Sequence, residues 1–246
     1  MISRSGTHIL GHVAAATLIL LGAAHGTASA QYQIDTWTTE HGLPQGTVYA
    51  VDQTPDGFLW ISTFGGLARF DGVTFRVFDT VTNPELPNSR LFGVLVDGDG
   101  QLWVLTQDRV LMRFRDGTFL VSGPPEGLPT NTVRRVTREH GRIVADTTGG
   151  LFIWQDGRFV PYARPAPPGA AGMTFLNESG SGARWYRDAA GVGHRFEGDR
   201  LTRTLALAGT NVVEDRSGRL WMHDKGTLIC VIGDAVHRYG PRDGVV

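Results

Sequence analysis

The stretch Gly57-Phe58-Leu59-Trp60-Ile61-Ser62-Thr63-Phe64-Gly65-Gly66-Leu67-Ala68-Arg69-Phe70-Asp71-Gly72 alternates apolar runs with glycine turns, and it returns along the chain. Gln101-Leu102-Trp103-Val104-Leu105-Thr106 precedes Leu111-Met112-Arg113-Phe114-Arg115-Asp116-Gly117, and Arg219-Leu220-Trp221-Met222 precedes Leu228-Ile229-Cys230-Val231. Each copy reads as strand, turn, strand, turn. Leu-Pro pairs begin at Leu43, Leu86 and Leu128, in steps of 43 and 42. Trp60 and Trp103 lie 43 residues apart, Trp103 and Trp185 two periods of 41, and Trp185 and Trp221 36. A period near 40 with four short strands per copy predicts an all-β fold, a β-propeller of four-stranded antiparallel blades, rather than a solenoid or a sandwich.

Five blades are expected, over about residues 41–80, 84–123, 126–162, 169–207 and 208–241. In the first, Thr47 to Asp52, Phe58 to Phe64, Leu67 to Phe70 and Thr74 to Phe78 are the strands. The third is expected to start its inner strand at Thr132 to Val136, and Arg142-Ile143-Val144-Ala145 stands where the others carry Leu-Trp. The fourth follows the Pro- and Ala-rich connector Arg164-Pro165-Ala166-Pro167-Pro168-Gly169 and is marked by Arg184-Trp185-Tyr186. Outer strands outnumber inner sets by one, because residues 32–38 also read as a strand. That spare strand is what a closing blade would borrow, and Arg242-Asp243-Gly244-Val245 resembles the start of a further unit.

Residues 1–30 stand apart. Arg4 precedes the uncharged run Val13 to Ala24, and Ala28-Ser29-Ala30 fits a small-x-small cleavage rule, so a signal peptide cut after Ala30 is expected. The run is shorter than the roughly 18–20 apolar residues a membrane span needs. The exported part, residues 31–246, has no second such run. Formal net charge is -1, which gives no bulk attraction for nucleic acid, and 41% hydrophobic with 19% charged residues is a globular composition. Cys230 is the one cysteine, so no internal disulfide can form, and its strand-like surroundings make it a small buried hydrophobe.

The combination Gly-Leu-Pro, Asp-x-x-Gly-x-Leu-Trp and Gly-Gly-Leu-x-x-Phe-Asp-Gly, fullest over residues 41–78, resembles the two-component regulator propeller repeat. The resemblance implies an exported sensor region, commonly followed by a β-sandwich, a membrane helix and a histidine kinase or nucleotide-cyclising domain. It further implies a seven-bladed ring, of which this chain would be an N-terminal fragment. A small-molecule or carbohydrate ligand, signalling domains outside this chain, a homodimer in the full-length form and a periplasmic location follow from the same likeness.

No motif for chemistry stands beside it. The histidines show no zinc spacing, and Asp97-Gly98-Asp99-Gly100 lacks the further ligands of a calcium loop and reads as a hairpin turn. No catalytic, cofactor or metal residue is expected. The Asp-x-x-Gly-x-Leu-Trp hairpin is similar to the Asp-box of sialidase-type propellers, which makes an exported glycosidase one alternative and a stand-alone protein-interaction propeller another. Arg134, Arg135, Arg138 and Arg142 are abundant cations without paired acids, and Arg134 and Arg135 are expected on opposite faces of a strand. Polar loops at Gln45-Gly46, Asn88-Ser89-Arg90 and Thr130-Asn131 occupy one position in successive blades, where propellers bind ligands.

Overall fold

The computed structural model describes residues 35–130, 132–207, 209 and 212–245. The expected signal peptide and residues 32–34 lie outside them. Five four-stranded antiparallel sheets follow one another as the blades of a β-propeller. Blade 1 holds β1 (Val48–Gln53), β2 (Leu59–Thr63), β3 (Gly66–Phe70) and β4 (Phe75–Phe78). Blade 2 holds β5 (Leu91–Val96), β6 (Leu102–Thr106), β7 (Leu111–Arg115) and β8 (Thr118–Ser122). Blade 3 holds β9 (Arg135–Glu139), β10 (Arg142–Thr147), β11 (Gly150–Gln155) and β12 (Arg158–Pro161). Blade 4 holds β13 (Thr174–Glu178), β14 (Arg184–Arg187), β15 (Val192–Glu197) and β16 (Arg200–Ala206). Blade 5 holds β17 (Val213–Glu214), β18 (Leu220–Asp224), β19 (Thr227–Ile232) and β20 (Ala235–Tyr239). Each sheet keeps sequence order, and β1, β5, β9 and β13 touch one another across the blades, so first strands are innermost.

The Leu-Trp pair works at two levels. Within a hairpin, the indole N–H donates to the residue six positions earlier: Trp103 to Asp97 Oδ2 at 2.8 Å, Trp221 to Asp215 Oδ2 at 2.9 Å, Trp60 to Thr54 Oγ1 at 3.0 Å. Both Asp97 oxygens are taken up in this way, since Oδ1 accepts the N–H groups of Asp99 and Gln101. Between blades, the ring packs on the third strand of the next sheet. Trp60 meets Phe114 at 5.2 Å and Trp103 meets Trp154 at 5.0 Å, edge-on or tilted as ring quadrupoles prefer. Where Val144 breaks the motif, the seam between blades 3 and 4 is built differently. Glu139, 1% exposed, accepts Arg164 Nε at 2.9 Å and Nη2 at 2.5 Å, together with Tyr162 Oη at 3.3 Å, and Arg164 lies over Phe175. Burial and the neighbouring Glu139 charge push the Tyr162 phenol up to about 12.

Polar links cross every seam. Asp52 Oδ2 in blade 1 accepts Val96 N–H of blade 2 and Arg138 Nη1 of blade 3, and Arg138 also reaches the Val96 carbonyl. Arg195 grips Glu214 of blade 5 through two 2.8 Å hydrogen bonds, and Trp185 Nε1 donates to the same carboxylate. Gly98 N–H donates to the Gly141 carbonyl, backbone against backbone, and a Cβ on Gly98 would stand 3.1 Å from that oxygen. The Gly-Leu element is a 3-10 turn closed by a left-handed glycine, at Thr39–His41 with Gly42 and at Pro124–Glu126 with Gly127. Pro241–Asp243 with Gly244 makes the same turn a third time.

Two expectations change. Residues 35–38 form no strand; Trp37 instead packs edge-on against Phe70 at 4.6 Å, and Thr38 caps the first 3-10 turn. The inner strand of blade 3 starts at Arg135 rather than Thr132, because Val133 N–H is drawn to the Arg109 carbonyl of blade 2. Cys230 is buried, which pushes its thiol up.

Replacing Arg164 by Met should cost about 3 kcal/mol in urea unfolding, since it strands the buried Glu139 charge, and the double variant with Glu139→Gln should recover most of that loss. At Asp215 burial pushes the carboxyl up, but the Trp221 indole, Arg219 and two backbone N–H groups outweigh it and hold the pKa at about 2, against 3.8 unperturbed. A depressed carboxylate contributes stability above its unfolded pKa and loses it as pH falls through the folded one. Asp215→Asn should therefore cost about 1 kcal/mol at pH 7, allowing for solvent screening, and the deficit should vanish between about pH 4 and pH 2 in thermal melts.

Candidate functional site

The inner strands converge on a cavity of about 480 Å³, within the roughly 300–1,000 Å³ of small-molecule sites. Four blades contribute. Tyr49 comes from β1, Phe92 and Leu95 from β5, Arg109 from the β6–β7 hairpin, Arg134 and Arg135 from the start of β9, and Leu176 and Arg187 from blade 4.

Backbone irregularity aims part of this lining. The pairing of β1 with β2 slips between Val48 and Ala50, that of β5 with β6 between Leu91 and Gly93, and that of β13 with β14 between Phe175 and Asn177. The extra residues are Tyr49, Phe92 and Leu176, and all three line the cavity. A bulge turns one side chain out of the alternating pattern; Tyr49 and Phe92 meet ring to ring, while Leu176 is buried with Trp185 and Leu220 at the edge of the same space. Tyr49 stacks on Phe64 at 4.3 Å and meets the Phe92 edge at 5.1 Å. Arg109 lies 5.1 Å over Phe92 and Arg90 5.7 Å over Phe64, within cation–π range.

The arginines differ in how they are held. Arg134 Nη2 pairs with Asp146 at 2.7 Å and donates to the Thr147 carbonyl. Arg135 donates to the carbonyls of Phe175 and Leu176 in blade 4, at 3.1 and 2.6 Å. Burial and the like charge of Arg164 push it below its ordinary value. Arg109 donates to the Arg134 carbonyl at 2.6 Å. Its backbone is left-handed, φ 66, at a hairpin position where a side chain costs about 1 kcal/mol.

Of the residues singled out in the sequence, Arg134 and Arg135 both line the cavity and their side chains diverge as expected, Arg134 to Asp146 of its own blade and Arg135 to the carbonyls of blade 4. Arg138 bridges blades and Arg142 pairs with Gln155. The loop residues Gln45, Gly46, Asn88, Ser89 and Thr130 lie just ahead of the inner strands but do not line the cavity; Asn131 is outside the described residues. Asn88 donates to Asp108, and the Ser89 hydroxyl accepts the Thr80 N–H. Tyr49, Phe92, Arg109 and Arg187 are the lining residues that sequence reasoning missed. The shared signal for the first two was an aromatic residue at the second position of an inner strand.

The model of the two-component regulator propeller repeat matches residues 42–65. The fold is similar to the extracellular domain of a putative hybrid two-component system from B. thetaiotaomicron, with a TM-score of 0.50, 16% identity and coverage of 79% of this chain. A putative one-component system of that organism (0.47, 19% identity, 78% of this chain) and virginiamycin B lyase from Staphylococcus aureus (0.48, 14% identity, 80% of this chain) are also similar. This chain covers 28% and 31% of the two extracellular domains and 72% of the lyase. A search of curated proteins gave no match. No helix among the described residues is long and apolar enough to cross a membrane.

Arg109→Gly should leave the melting temperature unchanged or raise it by a few degrees. Arg109→Val, a β-branched residue forced into the same left-handed conformation, should cost about 1–2 kcal/mol by calorimetry.

Proposed function

We propose that this chain is the ligand-recognising propeller of an exported signalling protein, and that ligand binds in the cavity at the inner ends of blades 1 to 4. The observation that carries this is the placement of three bulges, at Tyr49, Phe92 and Leu176, around one arginine-rich space. Bulges disrupt a ladder, and repetition at the same place in three blades is hard to account for by packing alone. The repeat match at residues 42–65 supports a regulatory setting. Aromatic faces beside multiple hydrogen-bond donors suit a sugar or another ring compound. The signal would pass to domains outside this chain, in the periplasm and across the membrane, with a homodimer as the natural transmitting form. The propeller itself is read as non-catalytic: its lining residues include no carboxylate, so they do not supply the paired acids of glycoside hydrolysis.

A fusion of the full chain to alkaline phosphatase, which is active only after export, should be active, and should lose activity when residues 1–30 are removed. Cytoplasmic retention of the intact fusion would sink the exported reading. The double variant Tyr49→Ala with Phe92→Ala should abolish binding of any oligosaccharide that the native chain retains on a glycan array; retention by the variant would place binding elsewhere.

A further inference from the structure

The geometry points to a specific ligand class for this cavity: an anionic ring compound, its charge carried by carboxylate, sulfate or phosphate groups. The inference rests on the reading of the cavity as a binding site and adds the chemistry it selects.

Charge is the first observation. Arg109, Arg134, Arg135 and Arg187 line the cavity, and no lining residue is acidic. Asp146 neutralises Arg134. Arg109 and Arg135 spend their donors on carbonyls, which satisfy hydrogen bonds without cancelling charge. The Arg187 side chain makes no hydrogen bond or ion pair among the described residues, while its backbone is paired in the sheet. The nearby acids Asp108 and Asp188 are turned to other partners, Asn88 and His194. Guanidinium groups from three blades therefore line one space that holds no acid of its own, Asp146 and Glu139 acting on Arg135 from outside it, and an anion there would relieve their mutual repulsion. Each guanidinium presents a planar fork that matches a carboxylate, sulfate or phosphate through paired hydrogen bonds. Of Arg109, Arg135 and Arg187, the Arg187 fork is the one not engaged by carbonyls, and the Arg109 and Arg135 charges add attraction for the same anion.

Shape is the second observation. Tyr49, 39% exposed, and Phe92 form an aromatic wall beside these cations, and Leu95 and Leu176 extend the apolar surface. A bare inorganic ion would leave that wall unused, whereas a ring with charged substituents fills both parts. The left-handed Arg109 fits the same account, since a glycine there would relieve the backbone but remove a cation.

The test is calorimetric titration of the full chain with digalacturonate, isophthalate, inorganic sulfate and the neutral disaccharide cellobiose, at low and high salt. Digalacturonate or isophthalate should bind more tightly than sulfate, and the tighter of the two tells an acidic sugar from an aromatic acid. Affinity should fall as salt rises. Arg187→Gln, which removes no hydrogen bond or ion pair among the described residues, should weaken both organic anions about tenfold, as should Arg109→Gly. Phe92→Ala should weaken them and leave sulfate unchanged. Equal binding of cellobiose with no effect of Arg187→Gln would overturn the anion inference while leaving the cavity reading intact. Saturable anion binding untouched by the arginine and Phe92 variants would overturn both. No saturable binding of any anion, or of sulfate alone, would overturn the inference.

Discussion

A sheet buried on both faces needs a neighbour on each side, and here that need is met chiefly by the seam where one blade's second strand lies against the next blade's third. Trp60 on Phe114 and Trp103 on Trp154 are two instances. Trp185 packs with Leu220 and Val231 in a third. A large ring is the economical solution, because one side chain spans the gap that two twisted sheets packed face to face leave open. The inner strands are held in place by these seams, and the cavity exists because the inner strands are held. The exception at Val144 confirms the need: lacking an indole, the chain fills the space with Phe175, Tyr186 and Phe196, and clamps it with a buried Glu139–Arg164 pair.

Much of this was legible in the sequence. The Asp-x-x-Gly-x-Leu-Trp hairpins and the Gly-Leu turns specify strands, turns and register through local chemistry visible one copy at a time, and their recurrence near every 40 residues gives the blades. What escaped was whatever depends on two copies at once. Trp37 leaves a strand-like segment to cover Phe70, and the strand of blade 3 starts late because Val133 is tied to a carbonyl in blade 2. The pairing of Glu139 with Arg164 crosses 25 residues of chain and leaves no periodic trace.

The cavity was the least legible part for the same reason. Tyr49, Phe92 and Leu176 follow the alternation of ordinary strands, and nothing in the letters announces a bulge. Arg134 and Arg135 diverge as the alternation predicts, but their place at one cavity depends on where blade 4 lies. The polar loops that attracted notice are spent on turn geometry, as Asn88 and Ser89 show. Repetition exposes the scaffold and even the positions at which the bulges recur, while the cations of the site, Arg109, Arg135 and Arg187, come from different places in different blades.

The indole clamp of blades 2 and 5 has a consequence for how such a chain arises. Its donor and acceptor sit six residues apart in one hairpin, so the bond forms without reference to any other blade. A gene segment that encodes it can be duplicated, and each daughter copy inherits a hairpin that is already closed. The seams then need only apolar fit, which drifting sequences satisfy readily. Divergence is thereby left free at the inner ends of the blades, and a family can change what it recognises without renegotiating how it folds.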